Sequence, residues 1–251
     1  MIDLHTHILP GLDDGPATED GAVAMARAAV AAGTQAMATT SHISHTFGLT
    51  PADLSAARTV LGERLEREKI DLELLQGGEI APARLPSLQD ADLRALTIGH
   101  GRHVLLECPF SPAGGLDRMV ADLQRRGFGV LLAHPERSPS FLRNLDFLAA
   151  LVERGALAQV TAGSLTGAFG ETVRRAAQGM LERGLVHVIA SDAHDERHRS
   201  PELDVGLDDA QAEWMTAAAP AAIVEGRPLP ERPPLPRARG VRARLRAWSP
   251  R

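Results

Sequence analysis

The sequence predicts an α/β protein in which seven short parallel strands alternate with helices and close into a regular or distorted barrel. Three observations carry this reading. Short apolar runs recur along the chain, most of them separated by stretches with helical caps and stops. The runs are apolar on both faces, as in Gly129-Val130-Leu131-Leu132, which suits strands covered on both sides. Nothing in their order marks a switch from one sheet wing to another; a doubly wound open sheet is the alternative.

Residues 1–4 open the chain as an apolar strand. A helix over 18–32 follows, with Thr18 or Asp20 as cap and Gly33 as stop. Residues 34–40 form the second strand. The next helix spans 51–69, with Thr50 as N-cap and Pro51 in the first turn, where no backbone donor is needed. Its apolar face carries Leu54, Val60, Leu61 and Leu65, with Ile70 beyond. The third strand, 71–76, runs into Gly77-Gly78-Glu79, and 85–96 suits irregular chain or a short helix. The fourth strand is 103–107. Helix 116–126 stops at Gly127, strand 129–133 ends at His134, helix 144–154 stops at Gly155, and strand 156–160 follows. Helix 171–183 stops at Gly184, and strand 186–190 ends in Ser191-Asp192-Ala193-His194. A helix over 208–216 precedes a short one near Ala221.

Residues 1–227 read as one barrel domain, and 228–251 as a flexible Pro/Arg-rich tail. In the tail, Val241, Leu245 and Trp248 recur at helical spacing with Arg242, Arg244 and Arg246 between them. That pattern admits weak contact with an anionic membrane surface; the plainer reading is a solvated tail.

The 251 residues, 44% of them hydrophobic, suffice for a sizeable core. A net charge of −5 and a pI of about 6.1 argue against a nucleic-acid partner. The one cysteine, Cys108, permits no internal disulfide, and neither a leader pattern nor a membrane-spanning stretch is visible. The expected location is the cytoplasm. Tyrosine is absent, so acid, base and nucleophile roles fall to other side chains.

Polar residues gather where the strands end. On an extended chain, His5 and His7 point to one face and can aim both imidazoles at one point. Asp14 follows in a Pro/Gly-rich loop. Later strands contribute His42, Glu79, Glu107, His134, Asp192 and His194, which makes nine candidate N/O ligands. In a parallel barrel these ends share one rim, the face on which active sites are built. Such a set suits divalent metal; manganese, zinc, iron and magnesium all remain open, because no thiolate is present to select a soft ion.

Several of these segments together carry a family resemblance. Asp3-x-His5-x-His7-Ile8-Leu9-Pro10-Gly11-x-Asp13-Asp14-Gly15, Leu105-Leu106-Glu107, Ala133-His134-Pro135-Glu136-Arg137, Thr161-Ala162-Gly163-Ser164-Leu165-x-Gly167 and Ala190-Ser191-Asp192-Ala193-His194 resemble the PHP (polymerase and histidinol phosphatase) superfamily. Within it they are most similar to the bacterial manganese-dependent protein-tyrosine phosphatases of capsule and exopolysaccharide operons. The resemblance implies a distorted seven-stranded barrel holding three divalent metals, manganese first among them. It implies that His5, His7 and Asp192 hold one ion, with Glu79 bridging to a second completed by Glu107 and His134. Asp14, His42 and His194 would hold the third. It further implies a shared hydroxide attacking phosphorus, Arg137 and Arg199 as phosphate-binding catalytic residues, and a phosphotyrosine-bearing bacterial kinase as substrate. An oligomer is compatible with it.

The chain departs from the family pattern on the substrate rim. The loop after the second strand reads Ser41-His42-Ile43-Ser44-His45-Thr46-Phe47, Gly78 precedes Glu79, Asp195 follows His194, and Ala81 and Ser138 stand where aromatics are usual. A small-molecule phosphatase of the histidinol-phosphatase type, a phosphodiesterase and a metal-stabilised binding scaffold are the alternatives. Cys108 has Gly114 where a cysteine phosphatase needs arginine, so it reads as a core residue. The Gly163–Gly167 run has the wrong spacing for a nucleophile elbow and reads as a cap for the following helix. His45, His100, His103, His187 and His198 read as surface or structural, with His45 the nearest outsider to the site. Asp13 reads as a ligand-orienting or turn residue, and Glu136 stays open.

Overall fold

A computed structural model describes residues 1–109 and 115–234. Its strands are β1 (Ile2–Thr6), β2 (Ala36–Thr39), β3 (His42–Ile43), β4 (Glu73–Leu75), β5 (Glu79–Ile80), β6 (His103–Glu107), β7 (Gly129–Ala133), β8 (Leu157–Thr161) and β9 (Val188–Ala190). They form a three-stranded sheet in the order β1-β2-β4 and a six-stranded sheet in the order β3-β5-β6-β7-β8-β9. Every pairing between them is parallel, as the alternating pattern predicts.

Two of the expected strands are each followed by a short second one. The strand read over 34–40 is β2, and β3 follows it after Thr40-Ser41; the one read over 71–76 is β4, and β5 follows it after Gln76-Gly77-Gly78. Between β4 and β5 Gly78 leaves no room for a side chain, since a Cβ there would lie 2.5 Å from Leu96 Cδ2. The step has a result for the site: β3 and β5 pair with His42 directly opposite Glu79. The two sheets also meet at the other edge. Asp192 N donates to His5 O and His7 N donates to Ala193 O, both at 2.9 Å, forming a parallel bridge between Thr6 and Ala193.

The helices are α1 (Glu19–Ala31), α2 (Pro51–Arg67), α3 (Asp90–Ala95), α4 (Leu116–Arg125), α5 (Pro139–Arg143), α6 (Leu145–Glu153), α7 (Ala162–Thr166), α8 (Glu171–Glu182), α9 (Asp209–Glu213) and α10 (Ala219–Val224). Thr18 caps α1, and Thr50 with Asp53 forms a capping box on α2. The two last helices expected from the sequence are joined by one π turn, Trp214–Ala218; Pro220, which has no N–H, stands in the first turn of α10.

Alternate strand residues sort into two apolar clusters. Val104, Leu106, Val130, Leu132, Ala158, Val160 and Ile189 pack with helix residues such as Met25, Leu61, Leu123, Leu148 and Met180. Leu105, Leu131, Leu157, Val188 and Ala190 pack with Leu4, Ala36, Ala38 and Leu75 instead. Continuing this second row by two along the strands reaches Glu107, Gln159 and Asp192. The inner packing row thus leads straight to the polar end.

The proline-rich segment forms no helix or strand over 228–234, but it is tied to the preceding chain. Trp214 Nε1 donates to Pro230 O, Gln211 Nε2 donates to the carbonyls of Pro233 and Pro234, and Arg232 donates to Gly184 O. The arginine pattern read over 241–248 lies outside the described residues. Among the described residues no helix is long and apolar enough to cross a membrane.

Candidate metal centre

All nine side chains singled out at strand ends converge. They fall into four groups whose ligand atoms lie within 4.8 Å of one another: His5, His7 and Asp192; His5, Glu79 and His134; His42, Glu79 and Glu107; and His7, Asp14, His42 and His194. The first and last groups correspond to two of the three ion sites implied by the resemblance, with His7 also near the last. Glu107 and His134 fall in different groups, each beside Glu79.

Local structure explains how each residue arrives. β1 extends two residues past its expected end, so His5 lies within the strand and His7 just beyond it. His5 Nδ1 donates to Gln159 Oε1 at 3.0 Å, and His7 Nδ1 to Asp13 Oδ2 at 2.8 Å. Asp13 also accepts from His42 N at 3.0 Å and Gly15 N at 3.1 Å. Gly15 lets the loop fold under His7: a Cβ there would lie 2.0 Å from the His7 carbonyl oxygen. His134 and Asp192 are non-glycine residues in the left-handed region, with φ of 36° and 52°. That conformation is uncommon and clusters at functional sites; here it turns two strand ends inward.

Donor spacing tests whether these residues suit divalent ions. His5 Nε2 and His7 Nε2 are 3.3 Å apart, and Asp192 Oδ1 lies 3.4 Å from each. A triangle of that edge admits an ion about 2.0–2.2 Å from every corner, the bond length of such ions to imidazole and carboxylate. Glu79 Oε2 adds a fourth donor at 3.5 and 3.6 Å from the same nitrogens. The residues fit the group.

The electrostatics agree. Glu79 is fully buried; burial raises its carboxyl, but His5, His134 and His42 outweigh it and hold the group well below the usual range. Glu107 is pushed up to about 7, first by burial and then by the nearby Glu79 charge. Asp14 is held below the carboxylate range by its hydrogen bond from His194. A carboxylate crowded by another calls for a cation.

Arg137 and Arg199 meet at the same edge. Arg137 Nη1 donates to Asp192 Oδ2 at 2.5 Å and Arg199 Nη2 to the same oxygen at 2.6 Å. The two oxygens of Asp192 thus face different neighbours, Oδ1 the histidines and Oδ2 the guanidinium groups.

Other residues have different positions. Cys108 is fully buried, as expected, and burial pushes its thiol well up. Ser164 does not cap α8; its hydroxyl donates to Glu136 Oε1 at 2.6 Å, and Gly170 stands at the N-cap instead. Glu136 also accepts from Thr161 N, linking the ends of β7 and β8. His45 joins none of the four groups and lies against Ala83 O. His103 is buried over Gly129, while His198 is exposed. Asp3, the first residue of the motif quoted above, accepts from Ser191; two neighbours were not anticipated, Gln159 and Phe169, whose ring lies under Arg137 and Arg199. A lone glutamine in an apolar strand was the available signal for Gln159.

Fold and site define a class: an α/β protein with a histidine–carboxylate centre at the C-terminal ends of parallel strands. The chain belongs to the CpsB/CapC family of capsular polysaccharide synthesis, whose model matches residues 1–219. It is 37% identical over 207 residues to the tyrosine-protein phosphatase YwqE of Bacillus subtilis, covering 80% of each chain. It is 32% identical to the putative tyrosine-protein phosphatase CapC of Staphylococcus aureus, covering 79% of each. A solved structure from the work on YwqE of B. subtilis and CpsB of Streptococcus pneumoniae, described as metal-dependent tyrosine phosphatases, superposes with a TM-score of 0.81. That match has 33% identity and covers 94% of this chain and 99% of the other.

Proposed function

We propose that this chain is a metal-dependent protein-tyrosine phosphatase acting on a bacterial tyrosine kinase that regulates capsule or exopolysaccharide synthesis. The observation that carries the reading is the His5–His7–Asp192 donor triangle, extended by Glu79, beside two arginines that share Asp192 Oδ2. The relatives named above support the substrate class.

The nine strand-end residues would hold three divalent ions, manganese first: His5, His7 and Asp192 one, with Glu79 shared with a second that Glu107 and His134 complete, and Asp14, His42 and His194 the third. Such ions supply water ionised near neutral pH and charge neutralisation for in-line displacement at phosphorus. The chain's own groups do the rest. Asp13 and Gln159 fix which nitrogens of His7 and His5 face inward. Arg137 and Arg199 present planar donors to phosphate oxygens. Arg199 Nε is buried without a hydrogen-bond partner among the described residues, a donor that an arriving anion can satisfy by drawing the side chain over.

On this reading the two sheets, joined at the Thr6–Ala193 bridge, make one distorted seven-stranded barrel over 1–227, in the cytoplasm. The test is turnover by the manganese-loaded chain of four substrates: phosphotyrosine peptide, phosphoserine peptide, histidinol phosphate and a phosphodiester. Preference for phosphotyrosine is expected. Faster turnover of histidinol phosphate moves the assignment to a small-molecule phosphatase, and no turnover of any of them removes it.

A further inference from the structure

We propose that Phe169 is a positioning residue that holds Arg137 and Arg199 in plane for phosphate; the proposal rests on the phosphatase reading above. Arg137 Cζ lies 4.7 Å from the ring centroid of Phe169, and Arg199 Cζ lies 6.0 Å from it. Both distances fall within the range in which a guanidinium is attracted to an aromatic face. Each guanidinium therefore meets both Asp192 Oδ2, at an N–H, and the same ring, near its carbon.

An ordinary apolar role for Phe169 does not fit its surroundings. Phe128 and Phe141 belong to the apolar core and Phe147 packs against it, whereas among the described residues Phe169 joins neither apolar cluster. It is half-buried and lines a cleft with Arg199, Ala162, Gly163 and Ser191.

A tight turn carries the ring to this position. Phe169 stands in the turn between α7 and α8, flanked by Gly167 and Gly170 at φ of 94° and 89°. Ala168 N donates to Gly163 O at 2.8 Å and Gly170 N to Gly167 O at 3.0 Å. The ring lies over Gly163, where a Cβ would come within 3.1 Å of Phe169 Cε2. A side chain at residue 163 would push the ring away.

The consequence concerns the moment of binding. A phosphoryl group that recruits the two arginines competes with Asp192 for their N–H groups. As that carboxylate is displaced, the ring remains as a contact that both guanidinium groups share. It keeps both guanidinium groups beside the site, where each can turn paired N–H groups to phosphate oxygens, which is what makes arginine recognition of phosphate tight.

The experiment compares Phe169→Leu and Phe169→Trp with wild type in the manganese-loaded full chain. Four quantities are read: KM and kcat for p-nitrophenyl phosphate, calorimetric affinity for orthophosphate, melting temperature, and bound manganese. Phe169→Leu should raise KM and weaken orthophosphate binding by about five- to tenfold, the effect of two modest cation–π contacts. Its kcat should fall less, with melting temperature and metal content unchanged. Phe169→Trp should restore affinity. Wild-type KM and orthophosphate affinity in Phe169→Leu overturn the proposal. So does a loss of affinity that tracks a falling melting temperature and metal content and is not rescued by tryptophan. Failure of wild type to hydrolyse the aryl phosphate sinks the phosphatase reading instead, while the orthophosphate measurement still decides the role of Phe169.

Discussion

His7 and Asp13 are joined by a 2.8 Å hydrogen bond from Nδ1 to Oδ2, which leaves Nε2 of His7 facing Asp192 and Glu79. Burial raises the Asp13 carboxyl, but His7 and the amides of His42 and Gly15 outweigh it and hold the group below its usual range. An ionised Asp13 can only accept, so the tautomer of His7 is set from outside the ion site.

Asp13→Ala should therefore weaken metal binding by about 10- to 100-fold, the usual effect of losing a partner that orients a ligand. Leaving His42 N and Gly15 N without their acceptor should cost about 1–3 kcal/mol, but the fold should persist, because the apolar clusters are built without Asp13. Bound manganese after dialysis, read beside circular dichroism, checks this; full metal retention would refute it.

Chelation should abolish hydrolysis, and manganese should restore it. The metal-free chain should also melt at lower temperature, since an ion that binds only the folded state stabilises it by about 2.7 kcal/mol at a hundredfold excess over Kd. Activity that survives exhaustive chelation and dialysis would exclude a metal-dependent reaction.

Cys108→Ala should leave kcat and KM within about twofold and cost about 1 kcal/mol of stability, the scale of a small core truncation. Iodoacetamide should not inhibit the folded enzyme, because the thiol is fully buried and its pKa is raised. Inactivation by alkylation at Cys108 would point to thiolate chemistry instead.

How far the sequence could be read depended on whether a feature repeats locally. Capped helices, glycine stops and apolar runs repeat, so Thr18, Thr50 and Pro51 mark real helix starts. His5, His42 and Asp192 were legible because polar residues at strand ends stand out against Val, Leu and Ala. The breaks at Thr40-Ser41 and Gln76-Gly77-Gly78 were not, because they arise from how sheet edges meet. The left-handed turns at His134 and Asp192 have no glycine to announce them. Phe169 was missed because its partners come from two distant loops.

A pH effect on stability should come from His103. Its pKa is lowered to about 4, first by burial and then by Arg102. The folded state stays neutral where the unfolded chain, near 6.5, takes up a proton. Stability is thus fullest above that value and declines as pH falls toward 4. At pH 5.5 the loss from this group should be about 1.4 kcal/mol. Urea unfolding of wild type and His103→Gln at pH 8 and 5.5 should show a smaller acid loss in the variant; equal losses would assign the effect elsewhere.

The shared oxygen of Asp192 also bears on turnover. In the proposed role of Arg137 and Arg199 as phosphate binders, an incoming phosphate would gain only the difference between itself and the carboxylate they already hold. After an ester bond breaks, the same carboxylate would stand ready to reclaim both guanidinium groups and release orthophosphate. A built-in competitor of this kind would lower the affinity for substrate and product alike, and so would keep free phosphate from stalling turnover.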